Sequence, residues 1–214
     1  MHDSFKPPSA RRPSIGRHGQ GFHLAGRLRR RLLTGRGPGH GHGLGDGGIL
    51  FRWYGDGDTP SRLFPGFRLF EPSRSVFDDL AGRVGAVVAG RNTYDDSDGF
   101  DGAGPHPTAP LIVVSHRPAP PEATDKQTFV TSIEAGIETA RAAAGDRDVA
   151  IMGGGVVTAA LRAGLLDEVI LHQVPVLLGD GRRFFQELPA HIGLSLVEAV
   201  PAPGVTHLRY RIEK

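Results

Sequence analysis

The stretch DVAIMGGGVVTAALRAG, residues 148–164, constrains the fold more than any other. VAIM is a short apolar run without alternation, which suits a strand buried on both faces. Three glycines then turn the chain into VVTAALRA, a good helix former. A buried strand feeding directly into a helix is half of a βαβ unit and implies a parallel sheet. The same texture occurs three times upstream, in AVVAG (86–90), PLIVVS (110–115) and QTFVT (127–131).

The intervening segments read as helices and loops. SRSVFDDLAGRV (73–84) reads as a helix capped by Ser75, with Asp78 three residues on. Its acids Asp78 and Asp79 are conceivable proton donors, but a solvated helix face is the simpler reading. Thr131 is expected to cap a second helix, with Glu134 completing a capping box and Gly145 stopping it. Ile133, Ile137 and Ala140 form its apolar face. DEVILHQVPVLLG (167–179) reads as a strand with an edge or break at Pro175. LSLVEAVPA and VTHLRYRIE form a terminal hairpin around Pro203 and Gly204. These elements predict an α/β domain with a mostly parallel sheet and an antiparallel edge.

Charge divides the chain. Residues 1–43 carry a net +8 and the remainder a net −6. The basic segment is dense in Gly, Pro, Arg and Ser, without helical or strand period, and is expected to be disordered. The acidic body argues against nucleic acid as its partner. The chain has no cysteine, which excludes disulfides, thiolate metal sites and a cysteine nucleophile. No apolar run approaches the ~20 residues of a membrane span, and no secretory h-region is seen, so a cytoplasmic protein is expected.

Three strand ends carry groups suited to anions. Gly153, Gly154 and Gly155 lie between a strand and a helix, where backbone N–H groups can meet a phosphate. On that stretch alone, a phosphate cradle and a plain turn are equally good readings, since neither GxGxxG nor a Walker lysine is present. Gly90 is followed by Arg91, Asn92 and Thr93; PLIVV is followed by Ser115, His116 and Arg117. Either alone is better read as a surface turn. Together, at the carboxyl ends of parallel strands where α/β sheets collect ligands, they point to a phosphate-bearing cofactor. DDSDGFDG (95–102) lacks calcium-loop spacing and reads as a solvated loop. The histidines of GHGHG (39–43) make a poor metal site, and His172 reads as a satisfied sheet histidine.

GRNTY, PLIVVS and DVAIMGGGVVTAALRAGLLDEVILHQVPVLLGDGRRFF, closed by GVTHLRYRI, resemble the dihydrofolate reductase-like family across residues 38–214. The resemblance is closest to the branch of the C-terminal reductase domain of the bifunctional riboflavin-biosynthesis deaminase–reductase. It implies a three-layer α/β fold with a central mixed sheet, NADPH as hydride donor, a small heterocyclic substrate and a homodimer. It also implies roles. Gly90, Arg91, Asn92 and Thr93 would lie by the cofactor phosphates, Ser115 and His116 by the adenosine 2′-phosphate, and Gly153, Gly154, Gly155 and Val156 around the pyrophosphate. Leu178, Gly179 and Phe184 would border the substrate. No catalytic residue follows by motif.

One family feature is missing. The family opens with a mid-sheet strand ending in a motif like Ser-Leu-Asp-Gly-(Phe/Tyr)-(Ile/Val)-Ala-Gly; here stands HLAGRLRRR. Synonymous codons exist for residues 16–31 whose bases, read one nucleotide later, spell Ala-Ala-Met-Gly-Lys-Val-Phe-Thr-Ser-Leu-Asp-Gly-Phe-Val-Ala. The expectation is that residues 1–37 are an out-of-frame reading of the true first strand. A genuine basic arm and a natural disordered replacement tail are the rival readings.

Overall fold

The computed structural model describes residues 36–37 and 45–214. Apart from Arg36 and Gly37, the basic segment falls outside the described residues, as do the GHGHG histidines and the segment of the suspected shifted first strand. The chain enters through a 3-10 helix, Gly45–Tyr54, and two short antiparallel strands, β1 (Thr59–Pro60) and β2 (Arg68–Leu69).

Helix α1 (Ser73–Arg83) leads into β3 (Val84–Gly90). The short helix α2 (Arg91–Asp96) follows, then β4 (Leu111–Val114) and β5 (Gln127–Val130). Helix α3 (Ile133–Ala144) precedes β6 (Asp148–Met152), and helix α4 (Gly154–Arg162) follows it. The last three strands are β7 (Glu168–Gln173), β8 (Leu194–Ala202) and β9 (Val205–Ile212).

β5-β4-β3-β6 form a wholly parallel sheet. Side chains on β3 alternate between its faces, as strand geometry demands. Ala86 and Val88 pack on one face with Ile112, against Ile133, Ile137 and Ala140 of α3 and Val156 and Ala160 of α4. Val87 and Ala89 pack on the other face with Leu111 and Val113, under Tyr94 and Ala109. Burial on both faces explains the unalternated apolar runs. Gly136 lets α3 approach closely: a Cβ there would lie 2.9 Å from a Val114 methyl.

β7-β9-β8 form a separate antiparallel sheet, with Gly204 at φ +76° in the turn of the β8–β9 hairpin. The α/β class and both strand orientations are as expected, but the parallel and antiparallel parts do not join into one sheet. Among the described residues, β6 pairs only with β3 and β7 only with β9. β6 is exposed at Asp148 and partly exposed from Val149 to Met152.

Three local expectations are corrected. α1 begins at Ser73, and Ser75 lies inside it, its hydroxyl donating to Glu71 at 3.0 Å. α3 is capped by Ser132, which accepts from the Ala135 N–H at 3.2 Å; Thr131 is one residue too early to reach that donor. The strand expected over 167–179 ends at Gln173, two residues before Pro175.

Asp78 departs most from expectation, being 5% exposed rather than solvated. It accepts from the Ser61 hydroxyl at 2.5 Å, the Arg62 N–H at 3.0 Å and Arg74 at 3.3 Å. Burial raises its pKa, but these donors and the Arg74 charge outweigh burial and hold the carboxyl below its usual range. A depressed carboxyl stabilises the fold above its unfolded pKa, and that contribution fades as pH falls through the folded value. Asp78→Ala should therefore cost about 2–4 kcal/mol at pH 7, because it strands buried donors. Asp78→Asn should flatten the acid limb of a urea-denaturation pH series; an unchanged limb would contradict this.

Candidate functional site

Because the four strands run parallel, their carboxyl ends share one edge, and the predicted anion turns meet there. β3 ends at Gly90, in register with Val114 of β4, while Ala89 pairs with Met152 just before Gly153. The turns after β3, β4 and β6 are thereby neighbours. Gly90 packs on α4, a Cβ there lying 3.2 Å from a Val156 methyl.

Gly153 has φ +98°, a conformation side chains oppose, and an added Cβ would sit 2.2 Å from the Thr93 hydroxyl oxygen. The glycine turn and the β3–α2 turn are therefore in direct contact. The first N–H groups of α4, on Gly154, Gly155 and Val156, have no preceding helical carbonyl to bond. Gly155 is exposed, whereas Gly153 and Gly154 are buried. Bare backbone, a hydroxyl alongside and the positive end of a nine-residue helix suit a pyrophosphate.

The second part of the site is cationic. Arg91 donates from Nε to Asp95 at 2.7 Å and from Nη1 to the Pro118 carbonyl at 2.8 Å. Arg117 donates to the other Asp95 oxygen at 2.6 Å. Ser115 closes its own turn, donating to the Arg117 carbonyl at 2.8 Å and accepting the Arg117 N–H at 3.0 Å. His116 and Asn92 are exposed. Asp95 and Asp96 thus belong to a helix, not to a solvated acidic loop. Asp96 is 7% exposed and accepts from Arg182 at 2.5 Å. Burial raises the Asp96 carboxyl pKa more than the Arg182 charge lowers it. The i,i+4 spacing of Arg91 and Asp95 was the available sequence signal; the Arg117 and Arg182 contacts are long-range and had none.

The segment after β7 partly reaches the site. The Arg182–Asp96 pair holds it against α2, and a Gln186 N–H bond to Thr158 at 3.1 Å holds it against α4. The Phe184 carbonyl lies so close that a Cβ on Gly154 would be 2.3 Å from it. Leu178 and Gly179 lie in another turn, where the Asp180 N–H bonds the Leu178 carbonyl at 2.9 Å. Among the described residues, no hydrogen bond ties either to the glycine turn.

Elsewhere, His172 is satisfied as expected, by a partner the sequence did not reveal. Its Nδ1 lies 2.7 Å from Nδ1 of His207, whose Nε2 lies 2.8 Å from the Ser73 hydroxyl. Trp53 packs on both rings. Burial, with His207 alongside, lowers the His172 pKa to about 4, and burial lowers that of His207. Both are neutral at pH 7, sharing one proton between the facing nitrogens. Stability is full above the unfolded histidine pKa and falls as pH drops toward about 4. His172→Gln should remove part of the pH 6.5-to-4 slope in thermal unfolding; an identical slope would refute the assignment.

A cleft of about 400 Å³ opens between α1 and the antiparallel sheet, with Asp79, Glu198 and Arg209 on its walls. None of the predicted nucleotide residues borders it. Among the described residues, no group of three metal-ligating side chains occurs, and no helix is long and apolar enough to cross a membrane.

A parallel sheet with a glycine turn at its ligand edge, continued by an antiparallel hairpin sheet, places the chain in the dihydrofolate reductase-like α/β class. It belongs to the RibD C-terminal domain family, whose model matches residues 53–206. Among solved structures, a protein of Shewanella sp. PV-4 assigned to riboflavin biosynthesis is similar, with 28% identity and a TM-score of 0.56 over 64% of this chain and 79% of that one. A pyrimidine reductase-like protein of Corynebacterium diphtheriae shares the fold, with 14% identity and a TM-score of 0.50 over 67% and 82%. A search of curated proteins gave no match.

Proposed function

We propose that the chain is built as an NADPH-dependent reductase of a small heterocycle in riboflavin biosynthesis. The observation that carries this reading is the contact of two strand-end turns: Gly153, at φ +98°, backs onto the Thr93 hydroxyl at the start of α4. Gly153, Gly154, Gly155 and Val156 would hold the pyrophosphate, with Gly90 letting Val156 close against β3. Arg91, Asn92, Ser115 and His116 would serve the adenosine end. When bound, NADPH supplies a hydride; the protein supplies position and field. Phe184, resting on Gly154, would border the substrate side, and Leu178 and Gly179 would contribute only after movement. Family membership and the Shewanella neighbour support the riboflavin assignment.

A second reading rests on the separation of the two sheets among the described residues: the chain as read binds nucleotide without turning it over. We propose that residues 1–37 replace, through a shifted reading frame, a strand that would lie between β6 and β7 and join the two sheets. NADPH titration by calorimetry, followed by an NADPH-oxidation assay with the aminopyrimidine intermediate and with dihydrofolate, separates the readings. Binding with turnover supports the reductase. Binding without turnover supports the second reading. No binding defeats both.

A further inference from the structure

The cleft between α1 and the antiparallel sheet has no part in the cofactor reading, and regular elements build both its walls. From α1 it is lined by Val76, Asp79, Leu80 and Arg83, which recur at the spacing of one helix face. From the sheet it is lined by Ile170, Arg209 and Glu198, which stand side by side on β7, β9 and β8. Arg83 already has a partner, pairing with Asp148 at 2.6 Å. Arg209 does not. It is partly buried, and its Nε is buried without a hydrogen-bond partner among the described residues. Directly opposed residues on antiparallel strands lie close enough to pair. Yet among the described residues no ion pair joins Arg209 to Glu198, its neighbour in register, or to Asp79 across the cleft. A buried donor of a charged group left unpaired is costly, and such an exception marks a place for an acceptor from outside the chain.

We propose that this cleft binds a free α-amino acid with a large apolar side chain. Arg209 takes the carboxylate, Glu198 and Asp79 take the ammonium, and Val76, Leu80, Ile170 and Val200 take the side chain. An α-amino acid carries its two opposite charges on one carbon, and Arg209 and Glu198 offer the complementary charges from adjacent strands. Asp79 and Glu198 are exposed and free to turn toward a ligand. Together they outnumber Arg209, which repels a dianion such as phosphate and favours a ligand that brings its own cation. A volume of about 400 Å³ lies in the range of small-molecule sites.

The test uses the full chain and probes of one skeleton, titrated by calorimetry: L-phenylalanine, 3-phenylpropionate, which lacks the ammonium, and 2-phenylethylamine, which lacks the carboxylate. L-phenylalanine should bind with a Kd of about 1 mM, the range open to so small a ligand, and about fivefold tighter than either of the others. Arg209→Gln should weaken it about tenfold or more, for the loss of a charge-assisted pair. Asp79→Asn combined with Glu198→Gln, at exposed positions where melting curves should show the fold intact, should bring L-phenylalanine and 3-phenylpropionate within about twofold of each other. The proposal is overturned by folded wild type that gives no saturable heat with L-phenylalanine, by equal affinity for L-phenylalanine and 3-phenylpropionate, or by an affinity indifferent to Arg209→Gln. Should Arg209→Gln fail to fold, the double variant decides: lost selectivity supports the site, and selectivity that persists overturns it.

Discussion

Replacing residues 1–37 with a segment opening Met-Gly-Lys-Val-Phe-Thr-Ser-Leu-Asp-Gly-Phe-Val-Ala-Gly should raise the melting temperature by about 10 °C, equivalent to roughly 3 kcal/mol for a domain of this size. The physical basis is the sheet. β6 presents Val149, Ala150, Ile151 and Met152 partly exposed, and among the described residues it pairs with β3 alone. A central strand would pair with β6 on one side and with β7 on the other. It would bury several apolar side chains at about 1.5–3 kcal/mol each, against about 1–2 kcal/mol of backbone entropy per ordered residue. The measurement is a melting curve beside NADPH-dependent turnover, with the intact mass of the protein from its host. A native mass matching the Met-Gly-Lys-Val start fits the proposal. A native mass matching the arginine-rich start, or a restored segment that leaves the melting temperature unmoved, would defeat it.

The second large effect lies at the glycine turn. Gly153→Ala should cost about 2–4 kcal/mol and weaken NADPH about a hundredfold. The added carbon meets the Thr93 oxygen at 2.2 Å, and φ +98° is strained for any side chain. Gly155→Ala, two residues on, is the contrast. Its nearest neighbour is the Gln186 amide nitrogen at 3.6 Å, an ordinary contact, and its φ is not positive. That variant should melt within about 1 kcal/mol of wild type. Calorimetric NADPH titration and urea unfolding of the pair decide the matter. Equal behaviour of the two variants would mean that the turn merely connects β6 to α4.

The parallel sheet was legible because its strands are buried on both faces, which leaves continuous apolar runs that composition alone exposes. The hairpin was legible from Pro203 and Gly204, and the end of α3 from Gly145. Helix caps were misplaced by one residue at α3 and three at α1: the geometry selects Ser132 over Thr131, and Pro72, which has no capping side chain, over Ser75. Asp78 was misread for a different reason. Its partners Ser61 and Arg62 lie 17 and 16 residues upstream, so nothing local announces a buried carboxylate. Asp95 was half legible: the Arg91 pairing is written in helical spacing, whereas Arg117 reaches it across 22 residues. The break between the two sheets has no local signature at all, since it depends on the register of strands distant in sequence.

Trp53 is the chain's single tryptophan, and it rests on the rings of both His172 and His207. An indole in van der Waals contact with imidazole carries its own optical readout, because imidazolium quenches indole emission far more strongly than neutral imidazole does. The intrinsic fluorescence of the protein therefore reports, without any label, on the protonation and packing of the histidine pair at the antiparallel sheet.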